Sequence, residues 1–238
     1  GALIATLLLI VGFRRFALTH DMIDVPISRS SHHELTPRGG GIALVLVILV
    51  TLGVLLWRDE ISLQVFLALG GAGLVVAVAG FFDDFGHVAA SWRLLWHFLG
   101  AAWGLYWLGG LPAIVLWQEP VHLGLPGALL ATVLLVWATN LYNFMDGING
   151  IATVELITVA LGGLVVGAVA EVWEASFLLA ILISSGLGML AWNFPRARVF
   201  IGDGCSYFLG LTLGLTAIWQ ASLAAELLVA WTILMGTF

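Results

Sequence analysis

Charge is scarce in this sequence. Charged residues are only 9% of the 238, lysine is missing altogether, and all eight basic residues are arginines. Soluble domains carry about 25% charge, so an ordinary globular fold in water is excluded. Cysteine is nearly absent as well: Cys205 is the single one, which rules out an intramolecular disulfide and leaves the redox compartment open. The alternating apolar and polar period of a membrane β-barrel is missing too. No secretory signal peptide is expected, because the first apolar run leads straight into Arg14 and Arg15 instead of a small-residue cleavage site.

What remains is apolar: 61% of the residues are hydrophobic and the mean hydropathy is +1.10. Continuous apolar runs, broken by short polar or glycine-containing segments, approach the roughly 17–25 residues that cross a bilayer. In lipid such runs satisfy their backbone only as helices. The expected fold is therefore an all-α polytopic transmembrane bundle of about nine spans, near residues 1–13, 41–57, 63–82, 93–111, 127–143, 153–170, 175–192, 207–220 and 223–238. If these alternate, Arg14, Arg15, Arg29, Arg38, Arg93, Arg196 and Arg198 lie on one side or at its border, and only Arg58 lies on the other. The positive-inside rule makes the arginine-rich side cytoplasmic, with the N-terminus outside.

The expected outer connections are short. The expected cytoplasmic ones, "RRFALTHDMIDVPISRSSHHELTPRGG", "DDFGHVAASW", "DGINGIA" and "NFPRARVFIGDGCSYF", hold nearly every unusual residue. Asp83 and Asp84 directly follow "GLVVAVAGFF". Adjacent carboxylates beside lipid repel each other and need cations, arginines or water. On a helix they point about 100° apart, so one can meet a metal or substrate while the other meets an arginine. Asn140, Asn143 and Asp146 recur every third residue, which brings three polar heads to one helical face; helix capping accounts for one of them. Asp203, between Gly202 and Gly204, is a carboxylate on a turn that suits a hard cation, although a lone "GDG" is also a common turn. "PRGGG", with Arg38 and with Arg29 upstream, reads as a phosphate cradle or as a loop whose arginines set topology. His32 and His33 are adjacent, which is not a helical ligand spacing, and His97, among aromatics within a span, reads as a packed or helix-bonded residue and not a catalytic one.

Four segments, "DVPISRSSHHELTPRGGG", "GFFDDFGH", "NLYNFMDGINGIA" and "NFPRARVFIGDGCSYFLG", in that order and on one face, resemble the polyprenyl-phosphate N-acetylhexosamine-1-phosphate transferases, glycosyltransferase family 4. The first and third segments look closest to the O-antigen-initiating branch, which uses UDP-N-acetylfucosamine, UDP-N-acetylquinovosamine or related sugars. The resemblance implies one integral membrane domain over residues 1–238, in a bacterial inner membrane with its active site toward the cytoplasm. The implied reaction is attack of undecaprenyl phosphate on the β-phosphorus of a UDP-sugar, giving undecaprenyl-diphosphate-sugar and UMP. The implied cofactor is Mg²⁺, with Mn²⁺ as an alternative. The partners are a UDP-N-acetyl amino sugar, undecaprenyl phosphate and membrane lipid, not nucleic acid, and a homodimer is left open.

Carried over by residue, the resemblance gives Asp83 and Asp84 the catalytic positions, with Asp83 as the base for the lipid phosphate. Asp203 becomes the principal metal ligand and Asn143 a second one. Asn140, Asp146, Asn149, Arg29, Arg38 and Arg196 take nucleotide or diphosphate positions. Three departures stand out: His87 where one branch has lysine, Cys205 within "GDGCS", and the lack of the C-terminal His-containing loop that members carry, from which a chain shortened at both ends is expected. A CDP-alcohol phosphotransferase and a transporter are the rival readings. The first needs D-x-x-D-G-x-x-A-R, which is not found here, and the second predicts polar residues at mid-membrane on several spans.

Overall fold

In the computed structural model, residues 1–20, 23–24, 36–86, 88–117 and 119–236 are described. Arg29, His32, His33 and His87 lie outside them. The helices among the described residues are α1 (Ala2–Thr19), α2 (Ile42–Trp57), α3 (Leu63–Phe66), α4 (Ala72–Phe85), α5 (Ala90–Leu108), α6 (Gly124–Met145), α7 (Ile151–Val169), α8 (Ser176–Asn193), α9 (Asp203–Leu223) and α10 (Leu227–Met235). A π-helical turn, Leu67–Gly71, joins α3 to α4 in one rod, so each expected span corresponds to one helical unit. That turn has a local cause. The indole Nε1–H of Trp103 donates to the Leu67 carbonyl at 2.8 Å, and a Cβ on Gly71 would stand 2.6 Å from the same nitrogen. A side chain inserted into the helical ladder accounts for the widened turn.

Five units are long and apolar enough to cross a membrane: α1, the Leu63–Phe85 rod, α6, α7 and α8, while α2 is shorter but equally apolar. The chain is thus an all-α, multi-pass membrane protein. The expected last span differs among the described residues: α10 has 9 residues, about 14 Å by helical rise, which is less than half of a hydrocarbon core about 30 Å thick. Two-stranded ribbons interrupt the helices. β1 (Ile23–Asp24) pairs antiparallel with β2 (Thr36–Pro37), and β3 (Ile114–Leu116) pairs with β4 (Glu119–Val121).

Helix α9 is the axis of the bundle. Residues Gly204 to Ala221 are all buried, packed by α4, α5, α6, α7, α2 and α10. Helices in lipid gain little from the hydrophobic effect and associate through close packing at small residues. A Cβ on Gly204 would stand 3.0 Å from the Phe81 backbone nitrogen of α4, one on Gly73 would stand 2.5 Å from the Phe208 ring, and one on Gly210 would stand 2.9 Å from Thr139 Cα of α6. Glycine at these places lets α9 lie directly on α4 and α6, so its N-terminus meets their C-terminal ends.

Candidate active site

That meeting point is where the sequence concentrates its polar residues. Asp84 at the end of α4 turns both carboxylate oxygens onto the first turn of α9: Oδ1 accepts from the Asp203 N–H at 2.9 Å and Oδ2 from the Gly204 N–H at 3.2 Å. These are two of the four N–H groups that a helix start leaves without an intrahelical partner. Asp84 therefore caps a helix that begins 119 residues further along the chain. This cap also explains why α9 starts at Asp203, ahead of the apolar run expected from 207.

Asp83, one step around the helix, faces elsewhere. Its Oδ2 accepts from Arg93 Nη1 at 3.1 Å and from the Tyr207 hydroxyl at 3.1 Å, and its Oδ1 accepts from the Val88 N–H at 3.0 Å. Its side chain is only 6% exposed. As the spacing implied, one member of the pair meets an arginine.

Asp203 is more open, at 19% side-chain exposure. Its Oδ1 accepts from Asn143 Nδ2 at 2.7 Å, and its Oδ2 lies 3.8 Å from Arg38 Nη2. Asn143 Nδ2 also donates to Ser206 Oγ at 2.8 Å. In this orientation Asn143 gives nitrogen, not oxygen, to the Asp203 side, and a role as a metal ligand needs the amide turned over. Asp146, just past the end of α6, accepts the Gly202 N–H at 3.2 Å. Burial pushes the Asp146 carboxyl well above its ordinary range. The neighbouring Asp203 and Asp84 push the same way, against the Gly202 N–H and Arg38.

Two of the three glycine amides after Arg38 are bonded to backbone carbonyls. Gly40 N–H donates to Phe200 O and Gly41 N–H to Ile201 O, both at 2.9 Å, while Phe200 N–H donates to Pro37 O at 2.9 Å. Amides spent on carbonyls are not available to phosphate, so at Gly40 and Gly41 the structure favours the loop over the cradle. The glycines serve close approach: a Cβ on Gly40 would stand 2.0 Å from a Val199 methyl, and one on Gly41 2.3 Å from Cys205 Cβ. Gly39 and Gly202 both have positive φ, +80° and +85°, and touch each other beside Asp84.

Asn140 lies one turn back along α6 and points to α5, where its Nδ2 is 3.0 Å from His97 Nδ1. Asn149 lies at the rim, its Nδ2 reaching Pro195 O at 3.5 Å while its buried Oδ1 has no partner among the described residues. The next residue, Gly150, donates its N–H to Asn193 Oδ1 at 2.7 Å, and Asn193 Nδ2 donates to Val199 O at 3.1 Å, tying this loop to the Asp203 segment. Arg196 is exposed on that neighbouring loop. Asp83, Asp84, Asn143, Asp146, Asp203 and Arg38 are thus gathered at one end of the bundle, Asn140 and Asn149 flank them, and Arg196 stands outside. Arg93, Tyr207 and Ser206 are site residues that the sequence did not single out. Tyr207 follows Asp203 by one helical turn, and that spacing was the available signal.

Residues 65–221 match the family described as glycosyl transferase family 4, a stretch that includes the acidic pair, the Asn140 to Asn149 series and Asp203. The chain is 28% identical over 224 residues, 91% of its own length, to a protein of Bacillus subtilis named probable undecaprenyl-phosphate N-acetylglucosaminyl 1-phosphate transferase, of which it covers 60%. It is 29% identical over 226 residues, 84% of its length, to the decaprenyl-phosphate N-acetylglucosaminephosphotransferase of Mycolicibacterium smegmatis, of which it covers 54%. The chain therefore spans a little over half the length of these curated relatives. With well over half of its residues inside the matched stretch, it belongs to glycosyl transferase family 4.

Proposed function

We propose that the protein transfers an N-acetylhexosamine-1-phosphate, or a 6-deoxy relative, from a UDP-sugar to a polyprenyl phosphate such as undecaprenyl phosphate. A phosphate oxygen of the lipid forms a bond to the β-phosphorus, the bond from that phosphorus to the bridging oxygen breaks, and UMP leaves. The observation that carries this reading is the half-open Asp203, set at the buried start of α9 between Asn143 and Arg38 and ringed by two further carboxylates, at one end of a membrane bundle. Phosphoryl transfer asks for positioning and charge neutralisation, and this end of the bundle supplies both beside the lipid.

Mg²⁺ fits Asp203. Its carboxylate is a hard oxygen donor with an exposed side, and Asp84, Asp146 and Asp203 crowd one turn on which Arg38 is the cation that reaches them among the described residues. No three His, Cys, Asp or Glu side chains among the described residues are grouped to hold a metal by themselves. The remaining ligands would come from an amide oxygen, water and phosphate, as is usual for this ion. When bound, Mg²⁺ neutralises charge on the transferring group. Arg38 stands ready for a diphosphate oxygen, Asp84 fixes the backbone that carries Asp203, and Asp83 holds Arg93 and Tyr207 in place or receives the acceptor's proton. Asn149, whose buried oxygen has no partner among the described residues, is suited to an N–H of the nucleotide base. An apolar cavity of about 580 Å³ between α6, α9 and α10, lined by Leu134, Trp137, Leu141, Ile218, Val229 and Trp231, is suited to an isoprenoid chain.

The arginine distribution supports a cytoplasmic site in a bacterial inner membrane, and the reading places the enzyme at the first lipid-linked step of O-antigen or another surface polysaccharide. The test is UMP release by the full-length protein with undecaprenyl phosphate and a panel of UDP-sugars. At least one UDP-N-acetyl amino sugar should be turned over, and Asp203→Asn should lower turnover by about three orders of magnitude, the effect of several kcal/mol of lost charge stabilisation. Turnover and Mg²⁺ dependence that survive this substitution would remove Asp203 from its role.

A further inference from the structure

A line of polar side chains leads from the site toward the middle of the bundle and ends at His97. This residue is 1% exposed, follows Arg93 by one turn of α5, and meets the Tyr207 ring edge-on with centroids 4.4 Å apart. Its Nδ1 lies 3.0 Å from Asn140 Nδ2. The same Asn140 nitrogen lies 2.7 Å from the Val136 carbonyl, one turn back on α6. A carbonyl only accepts, so that contact fixes which end of the amide is nitrogen. Turning the amide over would set two acceptor oxygens against each other. With Nδ2 as the donor, His97 Nδ1 must accept, and the imidazole must be neutral with its proton on Nε2. That Nε2 is buried and has no partner among the described residues. Among the described residues the tautomer is therefore set by the Asn140 contact at Nδ1, which outweighs the cost of leaving the Nε2 donor unpaired.

We propose that His97 is a positioning residue for Asn140. By accepting at Nδ1 it joins Val136 in holding both Nδ2 protons, and this leaves Asn140 Oδ1 as the acceptor that the site presents to the nucleotide-sugar. The inference rests on the proposed transferase reading and adds to it a residue that need not touch substrate.

Three replacements separate this role from simple packing. His97→Phe keeps a ring against Tyr207 and removes the acceptor. It should raise the KM for the nucleotide-sugar about tenfold, the effect of one lost buried hydrogen bond, with less than about a twofold change in the KM for undecaprenyl phosphate. His97→Asn places an oxygen near the position of Nδ1 and should restore most of the loss, while His97→Gln, whose polar end lies near Nε2, should not. In the Asn140→Ala background, His97→Phe should add nothing further. The same double-mutant cycle read as melting temperatures of the purified protein should be non-additive, and this readout does not depend on activity. Unchanged nucleotide-sugar KM in His97→Phe, equal rescue by Gln and Asn, or additive melting shifts would each overturn the role. An active parent enzyme with an unaffected His97→Phe variant removes only this inference, whereas a parent that releases UMP from no UDP-sugar removes the transferase reading itself, and the melting cycle still decides the His97–Asn140 contact.

Discussion

Asp83 and Asp84 are neighbours in the chain that perform different work, because adjacent positions on a helix diverge by about 100°. One is paired with Arg93 and Tyr207, and the other caps α9. A third carboxylate, Asp146, sits just outside the α6 span and has its pKa raised by burial. A carboxyl whose folded pKa lies above its unfolded value contributes most at low pH, and that contribution is lost as pH rises from about 4 toward the raised value. Asp146→Asn keeps an oxygen for the Gly202 N–H and cannot ionise. Melting temperatures across pH 5 to 8 should fall less steeply in this variant than in the parent, while UMP release is reduced. Parallel melting profiles would show that Asp146 does not carry the pH dependence. The acidic pair and the Asn140 to Asp146 series were legible as polar groups out of place. Their partners were not, since the Asp84 and Gly202 contacts join residues far apart in sequence and depend on how α4, α6 and α9 cross.

At the scale of elements, the start of α9 depends on glycine. Gly202, at φ +85°, has no room for a side chain: a Cβ would stand 2.6 Å from Gly39 Cα and 2.7 Å from Asp84 Oδ2. Gly202→Ala adds a strained backbone to that clash, worth about 1–3 kcal/mol, and Gly41→Ala meets Cys205 and the Ile201 carbonyl at 2.3 Å and 2.7 Å. Both should lower the melting temperature and displace Asp203. Gly53→Ala in α2, where nothing lies within 4 Å, should be neutral or stabilising by about 0.5–1 kcal/mol. Equal effects at all three positions would contradict the packing account. Helix positions followed from apolar length alone, which is why each expected span found its helix. The first turn of α9 escaped because "DGCSY" is too polar to read as a span and is helical through a cap supplied by another element. The glycine triplet was visible as an oddity, but composition does not distinguish a loop that approaches an anion from one that approaches another backbone.

For the whole molecule, the arginine distribution predicts a sidedness. Arg196 lies outside the site but on the loop next to it, and Trp117, 94% exposed on the β3–β4 ribbon, lies at the other end of the bundle. The native thiol of Cys205 is buried, so introduced cysteines can be read against a low background. In intact cells an impermeant maleimide should label Trp117→Cys, and should reach Arg196→Cys only after permeabilisation; the reverse pattern would invert the topology. The central claim is that this end of the bundle moves a sugar phosphate and not a bare sugar. The direct measurement gives the full-length enzyme undecaprenyl phosphate and UDP-N-acetylglucosamine, or another accepted UDP-amino sugar, labelled with ³²P at the β-phosphate. Phosphoryl transfer predicts that the label enters the lipid fraction in step with release of unlabelled UMP. Label retained in water-soluble UDP while the sugar enters the lipid would contradict the account.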